Sequence, residues 1–293
     1  MYKRQDFLTT VKVRVTGHAL MNEPASWKDI TWGLVTAFRN WQLSQGYAIA
    51  SINQRLGAVR VYAGIAHQAG ILDTQALILI RGVQGYSRKE AGKVDEKRTD
   101  AGTKTRCGAK KAQTTLFDAE QADALKNHPD TSQGRRDALM MALLIDHGLR
   151  VSEIAILEMS CFNLKKGTMT FERPKVNNTG THKLTADTLL ALRAWVDSGD
   201  APPFGPLLRA SRKGGQLTTC GMTTSGIAAR VRELGAVVGI EALSPHDLRH
   251  FCATEMAGRD YSIKELMDWF GWNSPAMAVR YIKGAEIQER YKG

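Results

Sequence analysis

The stretch Ser244-Pro245-His246-Asp247-Leu248-Arg249-His250 decides how this chain of 293 residues is to be read. Ser244 is a favoured N-cap residue and Pro245 suits the first helical position. Asp247 stands third, where a carboxylate meets unpaired backbone N–H groups. The spacing therefore predicts a helix beginning at Ser244. Within it His246, Arg249, His250 and Ala253 recur at i, i+3, i+4 and i+7, so His246 and Arg249 share a face in the first two turns. One phosphate can touch both. Alone, the stretch also fits a helix start whose histidines satisfy local hydrogen bonds, because short motifs recur by chance.

Downstream, Ser262-Ile263-Lys264-Glu265 has capping-box spacing for a helix ending at Gly271, next to Trp272. Ser274-Pro275 then caps a last helix that carries Tyr281 about two turns in. Upstream, Asn177-Asn178-Thr179-Gly180 is turn chemistry between an alternating strand, Thr168-Met169-Thr170-Phe171-Glu172, and a returning one, His182-Lys183-Leu184-Thr185. This hairpin has Lys175 at its mouth, with Lys183 on the same hairpin as the alternative. Helices are expected at about 186–197 and 223–238, separated by the Pro202-Pro203-Phe204-Gly205-Pro206 loop. Earlier still, Thr115 or Asp118 caps a helix running to about Asn127. From about Arg135 to His147 the residues are apolar on too much of the circumference for a surface helix, which places that helix in the core. Gly148 stops it. Leu149-Arg150-Val151-Ser152-Glu153 opens the next, leaving Arg150 at a junction of two buried elements, where it needs a partner.

The first 83 residues have a different texture. Ser26 is expected to cap a helix with a stripe at Ile30, Leu34, Ala37, Phe38 and Trp41; a second helix follows from about Ala50 to Gly70 and a shorter one from Asp73 to Arg81. Residues 1–25 alternate weakly at Val11, Val13 and Val15 and carry Lys3, Arg4, Lys12 and Arg14, which fits a basic arm or a short strand. From Gln84 to Gln113 the apolar pattern gives way to Gly, Lys, Arg, Asp and Thr. Between Arg81 and Lys111 ten basic side chains face four acidic ones. That excess suits either a solvated strap or a strap crossing a phosphate backbone. The expected organisation is a basic segment (1–25), a helical domain (26–83), a basic linker (84–113) and a larger α+β domain (114–293).

The length allows two domains with real cores. No apolar run approaches the length that spans a bilayer, so a cytoplasmic protein without membrane contact is expected. Cys107, Cys161, Cys220 and Cys252 lie far apart, with no C-x-x-C and no histidine at zinc-ligand spacing. Neither a structural metal nor a disulfide framework is expected. A formal charge of +11 points to a polyanionic partner, nucleic acid being the commonest for a basic chain.

Taken together, Gly148-Leu149-Arg150-Val151-Ser152-Glu153, Lys175 on a hairpin, His246-Asp247-Leu248-Arg249-His250, Gly271-Trp272, and Tyr281 nine residues after Trp272 resemble the tyrosine recombinase, or phage integrase, family. The resemblance covers the chain from about Thr115 onward and, more loosely, the helical region 26–81 as a core-binding domain. Trp272 departs from the histidine many members carry there; it can donate a hydrogen bond but cannot shuttle a proton. The residues before the helical domain are fewer than the separate arm-binding domain of some phage integrases needs.

The resemblance implies a mainly α fold with a small antiparallel β-hairpin or sheet, its two domains forming a C-shaped clamp on double-stranded DNA. It implies strand exchange through a covalent 3′-phosphotyrosine, with no cofactor, because one phosphodiester replaces another. Tyr281 is then the nucleophile, Arg150 and Arg249 hold the phosphate, and His246 contacts it or takes the phenol's proton. Trp272 adds a donor, Lys175 is the general acid for the 5′ oxygen, and Glu153 and His250 are supports. It further implies a homo-tetramer on DNA, monomeric or dimeric when free, encoded by a phage or other mobile element and assisted by accessory DNA-bending proteins. A type IB topoisomerase-like enzyme and a catalytically idle DNA-binding protein of the same fold are the alternatives.

Overall fold

The computed structural model describes residues 2–102, 114–174, 178–259 and 261–292. The chain divides into two units, Met1–Lys111 and Ala112–Gly293.

The first unit is helical. It begins with α1 (Tyr2–Thr10) and the single turn α2 (Ala19–Asn22), then α3 (Trp32–Ser44), α4 (Ile49–Gln68), α5 (Thr74–Gly82) and α6 (Arg88–Asp100). The segment expected to be an arm or strand instead starts with α1, whose Phe7 and Leu8 enter the core. Phe7 meets Phe38 at 5.1 Å and Trp41 at 5.6 Å. An adjacent aromatic–aliphatic pair has more apolar surface to bury than the valine alternation that follows it, and Lys12, at φ 56°, lies just beyond the helix end. Ser26 does not cap a helix. It lies in a 3₁₀ turn, Pro24–Trp27, and the helix starts six residues later, where the Thr31 hydroxyl accepts from Leu34 N–H. Trp27 governs this segment: it is buried and its indole donates to Leu20 O.

The region expected to be a linker contains α6. Ser87 and Glu90 form reciprocal cap bonds at its start, of 2.7 and 3.2 Å, and they hold the Glu90 carboxyl below its usual pKa. Ala91 and Val94 pack against Tyr47, Ile49 and Ile52. Arg98 donates to Leu43 O and Tyr47 O, carbonyls beside the C-terminus of α3. Residues 103–113 lie outside the described residues.

The second unit comprises α7 (Ala119–Lys126), α8 (Ser132–Asp146), α9 (Val151–Ile154), α10 (Ala186–Asp197), α11 (Thr224–Val237), α12 (Pro245–Gly258), α13 (Ile263–Phe270) and α14 (Pro275–Lys292). A sheet of β1 (Phe162–Asn163), β2 (Thr168–Arg173) and β3 (Asn178–Lys183) is antiparallel in that order, and β4 (Arg209–Ser211) pairs with β5 (Leu217–Gly221). Helix α8 is buried on nearly every face, with Leu139, Met140, Met141, Leu143 and Leu144 fully inaccessible. Its neighbours pack around it as the all-round apolar pattern requires.

Asn178, Thr179 and Gly180, expected in the turn, are instead in β3, opposite Arg173, Glu172 and Phe171. Gly180 serves a close approach instead: a Cβ there would stand 2.5 Å from Arg173 Nε. Lys175, the favoured hairpin lysine, lies outside the described residues. Lys183 pairs with Thr168 at the opposite end of the hairpin from the turn.

Among the described residues no helix is long and apolar enough to cross a membrane, and no group of three or more His, Cys, Asp or Glu side chains is arranged to hold a metal ion.

Candidate active site

The site is built where two helices end. Helix α8 passes through His147 to Gly148, at φ 58°, and α13 ends at Gly271, at φ 59°. These left-handed turns need glycine, and at Gly148 space demands it too, since a Cβ would lie 2.6 Å from Phe270 Cε1. The two C-termini are joined by side chains. Arg249 donates from Nη1 to Gly148 O at 2.5 Å and from Nη2 to Phe270 O at 2.7 Å. Trp269 Nε1 donates to His147 O at 3.2 Å. Helix C-termini carry partial negative charge, which favours a guanidinium held between them.

Arg249 reaches this position from the start of α12. Ser244 N–H and hydroxyl both donate to Asp247 Oδ2, at 2.9 and 2.7 Å, and Thr115 N–H donates to Asp247 Oδ1. The predicted helix start is thus the observed one. The shared face divides by depth: Arg249 is buried and His246 is exposed. Burial, then the charge of Arg150, lowers the Arg249 pKa to about 10, so the group stays protonated at neutral pH.

Arg150 precedes α9 and donates from Nη1 to Glu153 Oε1 at 2.6 Å, while its backbone N–H donates to Glu153 Oε2 at 2.8 Å. This is the partner its junction position calls for. Its side chain keeps one-fifth of its surface in contact with solvent while Glu153 keeps about 1%. A phosphate can therefore reach Arg150 but not its carboxylate.

Tyr281 lies against the same region from α14. Its ring is parallel to Trp272 at 5.3 Å and edge-on to His250 at 4.9 Å; Trp272 in turn stacks on Phe270 at 4.7 Å. Arg249 stands over the far ring, 4.9 Å from the Phe270 centroid. Burial raises the phenol pKa, and Arg249 and Arg280 oppose that rise. Burial, followed by the charges of Arg280 and His246, keeps His250 below its usual pKa. Arg150, Glu153, His246, Arg249, His250, Trp272 and Tyr281 thus occupy one region.

Behind this region lies a layer of residues that no local sequence motif marks. Arg173, on β2, is buried and donates from Nη2 to Trp269 O at 2.5 Å; His182 Nε2 lies 2.9 Å from the same oxygen. The rings of His147, His182 and Trp269 stack, with His182 3.9 Å from Trp269. Burial holds both imidazoles neutral, His147 at about 4 and His182, with the neighbouring His147 and Arg173 adding to the effect, at about 3. A carbonyl oxygen can only accept, so a neutral His182 donates to it through Nε2–H. Strand periodicity was the available signal: Met169, Phe171 and Arg173 share the buried face of β2, and a cation in that row is out of place without a buried acceptor.

Around Arg249 the charged side chains are Arg150, Arg173 and Glu153. Three guanidinium groups against one carboxylate leave a positive surplus, placed beside a buried phenol. Such a site can hold an oxyanion and present an oxygen nucleophile to it.

The model of the phage integrase family matches residues 115–286. The type 1 fimbriae regulatory protein FimE of Escherichia coli K12 is 28% identical over 157 residues, covering 50% of this chain and 74% of that protein. Tyrosine recombinase XerC of Azotobacter vinelandii is 30% identical over 138 residues, 47% of this chain and 44% of that protein. Among solved structures, the Tn1549 transposon integrase in complex with transposon right end DNA aligns with a TM-score of 0.63 at 14% identity, covering 99% of both chains. XerH recombinase bound to its difH substrate aligns at 0.52 and 15% identity, covering 95% of this chain and 72% of that one.

Proposed function

Because this chain belongs to the phage integrase family, the tyrosine recombinases that break and rejoin DNA through a phosphotyrosine, we propose the following assignment of that chemistry to its residues. Tyr281 Oη attacks the scissile phosphorus, the bond from phosphorus to the 5′ oxygen breaks, and a 3′-phosphotyrosine and a 5′ hydroxyl result. Rejoining reverses the step with the 5′ hydroxyl of a partner strand. A diester is exchanged for a diester, so neither a nucleotide cofactor nor water need enter.

Arg150 and Arg249 neutralise the charge that builds on the nonbridging oxygens. Arg150 does so from the partly open side of the cluster and Arg249 from its buried side. The phenol is neutral at physiological pH, since burial adds to an ordinary pKa near 10. His246, exposed next to His250, accepts its proton as attack begins. The Trp272 indole N–H donates to the phosphate from a ring already parallel to the nucleophile's. Lys175, which lies between β2 and β3 in the sequence, protonates the leaving 5′ oxygen. Glu153 orients Arg150, and His250 supports the edge of Tyr281.

The substrate is a pair of double-stranded DNA recombination sites, engaged by a homo-tetramer assembled from monomers or dimers, with DNA-bending proteins as accessories. The enzyme serves a phage or other mobile element and acts in the cytoplasm. The observation that carries this reading is the surplus of guanidinium charge beside a buried tyrosine. The experiment uses a nicked duplex bearing the target site, which traps the covalent protein–DNA adduct. Tyr281→Phe abolishes it and Tyr291→Phe leaves it; an adduct that persists in Tyr281→Phe removes the nucleophile assignment.

A further inference from the structure

Helix α13 is terminated by side chains from three other elements. The last carbonyls of a helix have no partner within it. Here Met267 O accepts from the backbone N–H of Trp272 at 2.9 Å, Phe270 O accepts from Arg249, and Trp269 O accepts from Arg173 and His182. The side-chain caps thus come from α12, β2 and β3, and they converge on the two residues before Gly271-Trp272.

Arg173 runs between two glycines. A Cβ at Gly271 would collide with its Nη1 and stand 2.9 Å from its Cδ, and one at Gly180 would stand 2.5 Å from Nε. Burying a guanidinium whose direct acceptor is a carbonyl is unfavourable compared with an apolar side chain of similar volume. Core packing alone therefore gives no reason for arginine at this position. The charges nearest it, Glu153 and Arg150, are those of the active site.

Building on the site assignment above, we propose that Arg173 is a positioning residue for strand cleavage: by capping α13 it fixes the Gly271-Trp272 turn, and through the Trp272 ring it sets the Tyr281 phenol. The path is short. Arg173 holds Trp269 O, Gly271 turns the chain into the left-handed region, Trp272 closes back on Met267 O, and its ring lies parallel to Tyr281 at an interplanar angle of 1°. Without the cap the turn can fray, and the stack that aims the phenol loosens with it. Arg173 touches no reacting atom on this account.

The test is single-turnover cleavage of the nicked duplex at saturating protein, together with duplex affinity and melting, in a double-mutant cycle. Arg173→Met keeps the stem and removes the donors. The cleavage rate constant falls by on the order of 10²-fold, as a misplaced nucleophile implies, with duplex affinity unchanged. Arg173→Lys, whose ammonium can still reach Trp269 O, recovers most of that loss. In a Trp272→Ala background, itself slow, Arg173→Met has little further effect, because both changes act along one path. An additive loss in the double variant, or a loss confined to affinity, overturns the inference while leaving the site assignment standing. Unfolding of both Arg173→Met and Arg173→Lys assigns the side chain to the core and overturns it as well. A wild-type cleavage rate in Trp272→Ala removes the site assignment itself, and with it the inference.

Discussion

Helix α8 has buried arginines near both of its ends, and they are neutralised in opposite ways. At its start, Arg136 is fully buried against Asp137 at 2.7 Å; Arg230 binds the other oxygen of Asp137 at 2.7 Å and Glu233 at 2.9 Å; Arg135 binds Asp200 at 2.8 Å and also Asp130. Carboxylates there match guanidinium groups. Beyond its end, Arg150 pairs with Glu153, whereas Arg173 and Arg249 donate to carbonyls at two helix C-termini. A carbonyl satisfies a hydrogen bond without cancelling a charge. The first cluster is matched in charge as it stands, whereas the second keeps a positive surplus that an added anion would match, as the proposed phosphodiester site requires.

Breaking the balanced cluster should show first in stability. Asp137→Asn leaves Arg136 buried without its counter-charge, and the denaturation transition of the second unit should lose about 3–5 kcal/mol. Urea titration checks this; a loss close to zero would mean that the cluster is not held by charge.

His147 and His182, stacked behind the surplus cluster, are held neutral at about 4 and about 3, below the ordinary value near 6.5. Below that value the unfolded chain binds protons that the folded chain refuses. Stability is therefore lost as the pH falls from about 6.5 toward 4, at up to ~1.4 kcal/mol per pH unit for each imidazole. His147→Gln should flatten the slope by close to one proton in denaturation midpoints measured at pH 7, 6 and 5. An unchanged slope would place the titration elsewhere.

The smallest effect belongs to the exposed rim. Lys126 contacts Asp123, Asp146 and Asp187, of which Asp123 and Asp187 are largely exposed. Asp187→Asn should change stability by less than about 1 kcal/mol, because solvent screens such pairs. A larger loss in the same urea titration would show that surface pairs here act as buried ones do.

The difference between the clusters also marks how far the sequence could be read. Local signals were legible: Ser262 and Asp118 as caps, Gly148 and Gly271 as stops, and the start of α12 with His246 and Arg249 one turn apart. Their physics acts within four or five residues. The family order of Arg150, His246, Arg249, Trp272 and Tyr281 was legible for the same reason, each sitting beside such a signal. The Ser87–Glu90 box that starts α6 is equally local, but it is embedded in a run of charge that reads as a strap. Ser26 misled because a proline and a buried tryptophan favoured a 3₁₀ turn over a helix start. What was hidden was long-range. Arg173 finds Trp269 O across 96 residues, and the strand β3 that accommodates it uses Gly180 for space where turn chemistry suggested a reversal. No spacing rule connects a strand cation to the end of a helix.

The central claim is that the surplus charge around Arg150 and Arg249 exists for the charge of the scissile phosphate. The direct measurement compares Arg150→Ala with the wild type on two nicked duplexes, one natural and one whose scissile phosphate carries a methyl in place of a nonbridging oxygen and is therefore neutral. On the natural duplex the substitution should slow cleavage by about 10²–10³-fold, the usual consequence of losing one charge-stabilising donor. On the neutral duplex most of that loss should vanish, because the charge Arg150 meets is gone. An equal loss on both duplexes would contradict the account and assign Arg150 to holding the fold.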